Sequence, residues 1–284
     1  MTITYESATI YSNKPLKSKF RYRNSFQIFP SKKRFNKYFG IILQLAIEKT
    51  TPYSRFSSND SDILSISIIE KLHLLSLFTQ FYFFDYKKRK EPIKKFSSSQ
   101  FSKIKTGQTE WYQDKTLNDH NVSEIIFPTY IEKLLEIYDG LQERKKDIFR
   151  KSLYLFYSGV ELKGKYPSQS FISLISAIET LINFEAHSPN NCPECGQRKY
   201  KISKRFKEFI LRYAYSNKET ESNKKFIDAL YSKRSSISHE GKLLVADLFW
   251  DEKNNFVNWK ESFLSKDCIG VTRVCLINWL VANG

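Results

Sequence analysis

Glycine and proline are scarce in this chain, with 9 Gly and 8 Pro in 284 residues. So few turn formers argue against a turn-rich all-β architecture and for long helices. Long apolar runs are missing too, and none reaches the ~18 residues of a membrane span. The most apolar window, Ile63 to Tyr86, is broken by Glu70, Lys71, His73, Gln80 and Asp85. The opening residues, Met1 to Ser7, show no basic region followed by an apolar run, so no export signal is expected. With only 4 cysteines besides, the expected compartment is a reducing cytoplasm, and no membrane partner is expected. Acidic residues are also few: 30 Asp and Glu stand against 46 Lys and Arg, a net charge of +16. Such an excess points either to a polyanionic partner, nucleic acid ahead of membrane, or to a merely solvated Lys-rich surface.

What is present suits a globular chain long enough for one large or two modest domains. Residues 1 to 30 alternate more than they spiral and predict one or two short strands ending at Pro30. Over 31–49, Phe35, Tyr38, Phe39, Ile42 and Leu45 recur at spacings of three and four and predict a helix. Lys32, Lys33, Arg34 and Lys37 at its start form either a solvated helix face or a phosphate-contacting patch. A second helix is expected over 62–85, apolar around most of its circumference, with His73 a satisfied core histidine. A charged linker follows, from Lys87 to Ser99. Helical periodicity returns at Tyr130 to Gln142 and dominates from 145 on, with a helix started by Ser168 or Ser170, others through Phe206 to Tyr213 and Phe226 to Tyr231, and a last one from Thr272 to Val281.

The chemistry-bearing stretch is Lys233-Arg234-Ser235-Ser236-Ile237-Ser238-His239-Glu240-Gly241. Arginine grips a phosphate with a planar fork of donors, and histidine transfers protons near neutral pH. Cutting RNA without a metal needs a group to activate the ribose 2′-OH, one to protonate the leaving 5′-oxygen, and a cation for the phosphorane. His239 suits either proton role and Arg234 the cation. On an ideal helix the two stand ~140° apart, so they converge only where the helix ends or bends, or where a second copy supplies the complement. Gly241 makes a helix end there. Ser235 and Ser238 are either phosphate donors or capping and packing hydroxyls. Glu179 lies in an apolar run, where an unpaired carboxylate is costly. It either pairs with Arg234, orients His239, or faces solvent. Cys192-x2-Cys195-Gly196 is half of a structural zinc site that needs two more ligands, with His187, Cys268 and Cys275 as the available residues. The alternative is a reduced turn, with Cys268 and Cys275 simply buried in the last helix.

Four pieces in order, Ser176-Ala177-Ile178-Glu179-Thr180-Leu181, Cys192-x2-Cys195-Gly196, Phe206-Lys207-Glu208-Phe209-Ile210 and Arg234-x4-His239-Glu240-Gly241, resemble the Apea-like branch of the HEPN superfamily over roughly residues 145–250. In the preceding half, Leu74-Leu75-Ser76-Leu77-Phe78-Thr79 is the closest piece. The resemblance implies a mainly α protein: an α-rich region over 1–144 with a few short strands, then a HEPN-type helical bundle over 145–284 that forms a homodimer about its motif helices. For active members it implies metal-independent endoribonuclease activity in toxin–antitoxin or antiviral defence systems, with an antitoxin or defence partner. Other members bind RNA or nucleotides as sensors or regulators without a reaction.

Overall fold

In a computed structural model, residues 2–49, 60–79, 81–84, 90–96, 106–107, 123–125, 127–185, 202–248 and 259–284 are described. The chain divides into two compact units, one containing the described residues up to 133 and the other those from 134 on. Helix predominates over strand among the described residues, and no helix there is long and apolar enough to cross a membrane.

The first unit corrects the expectation of an α-rich region with a few short strands. It holds an antiparallel sheet of β1 (Thr2–Ser12), β2 (Phe20–Tyr22), β3 (Phe26–Phe35), β4 (Tyr38–Lys49) and β5 (Phe83–Phe84), in the order β2-β3-β4-β1-β5, with β6 (Lys90–Ile93) also paired to β1. The helix expected over 31–49 is a β-hairpin instead. Spacings of three and four fitted a helix, but Ile41, Leu43 and Leu45 alternate inward with buried side chains, and Tyr38, Phe39, Ile41 and Ile42 are aromatic or β-branched. Asn36 takes the left-handed φ of 51° that closes the turn. On one face of the sheet lies α1 (Asp60–Thr79), where Leu72, Leu75 and Phe78 are buried. It stops six residues short of the expected end, where Thr79 Oγ1 turns back on the Leu75 carbonyl at 2.6 Å and Ser76 Oγ accepts from the Phe83 N–H at 3.1 Å. His73 is buried, as expected, and desolvation lowers its pKa to about 4. Two short strands, β7 (Thr106–Gly107) and β8 (Phe127–Pro128), pair in parallel.

Among its described residues the second unit has helices and no strand: α2 (Ile131–Gly140), whose first turn belongs to the first unit, then α3 (Glu143–Leu162), α4 (Pro167–Glu185), α5 (Ile202–Tyr215), α6 (Glu221–Glu240), α7 (Val245–Leu248) and α8 (Trp259–Asn283). The last helix begins at Trp259, well before the expected Thr272. Its middle, from Cys268 to Leu280, is buried on almost every side because α3, α4 and α5 surround it. Trp279 stacks on Phe149 of α3 at 5.9 Å. Helices α3 and α4 approach closely at Gly159, where an added Cβ would lie 2.7 Å from the Leu174 side chain. Two buried serines stitch that contact: Ser170 Oγ donates to the Gly159 carbonyl at 2.6 Å and Ser152 Oγ to the Ala177 carbonyl at 2.7 Å.

Candidate functional site

Helix α6 carries the Arg–His stretch. Thr220 caps its start, accepting from the Asn223 N–H at 3.2 Å. Gly241 ends it in the left-handed conformation, φ 65°. Only Ile227 and Leu230 are buried on this 20-residue helix. Arg234 continues their row at a further four residues, so it points toward the helices that cover Ile227 and Leu230.

Glu179 of α4 meets it there. Arg234 Nη2 donates to Glu179 Oε2 at 3.2 Å, while Nη1 lies 3.3 Å from His239 Nε2. Guanidinium has no acceptor, so this contact is a hydrogen bond only in the tautomer that carries its lone pair on Nε2. The sequence left Glu179 three placements, and the ion pair with Arg234 is the one adopted. Its carboxylate keeps a second oxygen, Oε1, buried and without a hydrogen-bond partner among the described residues.

The convergence of Arg234 and His239 happens within one chain, by the helix-end route. The Ser236 carbonyl accepts from the Gly241 N–H, five residues on, and from the Lys242 N–H at 3.2 Å. This final turn is wider than the four-residue turn of an α-helix, and the long arginine arm closes the remaining azimuth. Beyond it His239, Glu240 and Ser238 are exposed, and Ser235 is half-buried. Neither the Ser235 nor the Ser238 hydroxyl bonds a described residue.

The segment after Gly241 is fastened from both sides by residues that sequence reasoning did not single out for this site. Glu261 of α8 accepts from Lys233 Nζ at 2.5 Å through Oε1 and from the Val245 N–H at 2.8 Å through Oε2. Asp247 accepts from the Ser168 N–H at 2.8 Å and from the Ser168 hydroxyl, so a side chain of α7 caps the open start of α4. Ser168 Oγ in turn accepts from the buried Leu244 N–H at 2.7 Å. Ser168 was legible as a helix-start residue, but its link to Asp247 spans 79 positions and has no local signal.

Each cation of the stretch has a carboxylate: Lys233 has Glu261, Arg234 has Glu179 and Lys242 has Glu240, the last at 2.6 Å. The Cys192-x2-Cys195-Gly196 turn and His187 lie outside the described residues. Among the described residues no group of three or more His, Cys, Asp or Glu is placed to hold a metal ion. Cys268 and Cys275 are buried in α8, and burial pushes the Cys268 thiol up to about 12. No family model, curated protein or solved structure matches the chain.

Proposed function

We propose that this chain is an endoribonuclease of the HEPN type, a toxin or antiviral defence effector that cuts RNA without a metal cofactor. The observation that carries the reading is Arg234 spanning Glu179 and His239, at 3.2 and 3.3 Å, on an exposed helix end. The carboxylate holds the guanidinium, and the guanidinium stands beside the imidazole of His239.

In the proposed reaction His239 takes the 2′-OH proton. The 2′-oxygen attacks phosphorus, Arg234 stabilises the charge of the phosphorane, and the bond to the 5′-oxygen breaks. The leaving 5′-oxygen needs a second proton-transfer group. A homodimer about α6 supplies it from the same histidine of the second copy. The unbonded hydroxyls of Ser235 and Ser238 stand on the same turn and can donate to the phosphate.

The test is incubation of the purified protein with total and transfer RNA in EDTA, followed by sequencing of the cut ends. The expected products carry a 2′,3′-cyclic phosphate and a 5′-hydroxyl, and both Arg234→Ala and His239→Ala abolish them. RNA binding without any cut would overturn the enzyme and leave a non-catalytic RNA-binding module.

A further inference from the structure

The positive charge of this chain does not gather at the Arg–His stretch, where every cation has a carboxylate. From Ser7 to Ile47 there are nine Lys and Arg and no Asp or Glu, out of a net charge of +16 for the whole chain. These residues lie in the strands of the first unit's sheet and in the connections between them.

Four of them sit at one end of the β3–β4 hairpin. The pairing of β3 with β4 skips between Pro30 and Arg34, which leaves Ser31, Lys32 and Lys33 in a bulge. Gly40 permits that bulge, since a Cβ there would lie 2.4 Å from the Lys33 carbonyl oxygen. The bulge and the turn leave Lys32, Lys33, Arg34 and Lys37 exposed, and none forms an ion pair with a described residue.

Aromatic rings lie among these cations. Phe35 and Tyr38 face each other across the turn. Tyr38 stands edge-on to Phe84 at 4.8 Å, and Phe84 stacks on Tyr82 at 5.5 Å. Tyr11, buried beneath, touches Phe35 and Phe84, each at 5.8 Å. Phe35, Tyr38, Tyr82 and Phe84 are each only half-buried. The Arg34 guanidinium lies 4.7 Å over the Phe39 ring.

We infer that this hairpin is a docking platform for single-stranded RNA, separate from the Arg234–His239 site. Partly open rings stack unpaired bases whatever their identity, and a row of unopposed cations tracks the phosphates. A base-paired duplex keeps its bases from such rings. The choice of RNA over DNA rests on the ribonuclease reading. Lysines on an uncovered strand also serve to prevent edge-to-edge aggregation. Glutamate does that equally well while repelling phosphate, so charge reversal separates the two roles.

The experiment uses the full chain with His239→Ala, which keeps the RNA intact, and a fluorescein-labelled 12-residue oligouridylate. Anisotropy is read from 50 to 300 mM KCl. Lys32→Glu, Lys33→Glu and Lys37→Glu together should raise Kd at least tenfold and reduce the slope of log Kd against log salt by about 2, at ~0.7 per single-strand phosphate contact. Tyr38→Leu, which keeps apolar volume and removes the ring, should weaken binding about tenfold with the slope unchanged. A thermal melt checks each variant, and Lys→Gln at the same three positions replaces any that fails to fold. Wild-type affinity in the charge variant overturns the platform, as does a duplex bound as tightly as the strand, or a DNA strand bound more tightly than RNA. The two readings fail separately. If the charge variant in a His239 background cuts RNA with unchanged kcat/KM, the platform falls and the nuclease stands. If the binding losses appear but the wild-type protein never cuts RNA, the nuclease falls and the platform stands.

Discussion

Arg234 and Glu179 are 55 positions apart in the chain and 3.2 Å apart at Nη2 and Oε2. Their side chains are 26% and 16% exposed, so water screens the pair only in part. Glu179 has little else to hold, because its other oxygen has no partner among the described residues. Arg234 therefore serves the fold, and the proposed reaction gives it a second duty at the phosphorane.

These duties separate by substitution. Arg234→Ala strands a mostly buried carboxylate and should cost about 2 kcal/mol of stability. Adding Glu179→Gln removes the stranded charge and should restore most of that loss without restoring RNA cleavage. His239→Ala, at an exposed position, should leave stability within about 0.5 kcal/mol. Chemical denaturation of wild type, Arg234→Ala, Glu179→Gln and the double variant closes the cycle, and purely additive losses in the double variant would show that the pair is not coupled.

Ser168 ties the start of α4 to the segment that follows Gly241. Its hydroxyl accepts from the buried Leu244 N–H and donates to Asp247. Ser168→Ala leaves that N–H without its acceptor and should cost about 1–3 kcal/mol. The loss should be local. Hydrogen exchange should quicken at 242–248 and leave the middle of α8 unchanged, whereas uniform acceleration would mean the link supports the whole unit instead.

How much of this was legible depended on the range of the interactions. The helices of the second unit announced themselves because Leu153, Phe156 and Tyr157, or Leu174, Ile178 and Leu181, each form a buried stripe at helical spacing. Arg234, His239 and Gly241 were readable together because they share one helix end. The hairpin at 31–49 was misread because its strand residues also fell at intervals of three and four, and the bulge before Arg34 shifts the alternation that marks a strand. The start of α8 was missed because its first turns, from Lys260 to Asp267, are largely polar. Glu261 and Asp247 could not be found by spacing, since each acts on a backbone group or side chain far away in sequence.

His73 makes the stability of the first unit pH-dependent. Burial lowers its pKa from 6.5 to about 4, so the folded protein refuses a proton that the unfolded chain accepts. Stability from this group is complete above about 6.5, falls as the pH drops, and levels off near 4. The total is about 3 kcal/mol at ~1.4 kcal/mol per pH unit. The gap in unfolding free energy between wild type and His73→Leu should therefore shift by that amount between pH 7 and pH 4. A gap that stays constant would mean that His73 takes up its proton equally readily in the folded and the unfolded chain.

The composite site makes the most specific demand on assembly. One chain offers one histidine in the stretch, held by one arginine, while 2′-OH attack and 5′-oxygen protonation are two proton-transfer roles. Helix α6 buries only Ile227 and Leu230 within its own chain, and it leaves Ile237, Tyr231 and Phe226 half-buried. Tyr231 packs on Phe206 of its own chain, whereas Phe226 and Ile237 fall on one side of the helix, and a two-fold axis beside them would bring two Arg234–His239 pairs to one phosphate. Wild-type and His239→Ala chains, mixed and allowed to exchange, should give hybrids that are nearly inactive, and excess variant should suppress the wild-type rate toward zero. A different affinity tag on each chain, with purification over both tags in turn, isolates the hybrids. If hybrids retain about half of the wild-type rate, each chain completes the reaction alone, and the second proton must come from water or from another residue of the same chain.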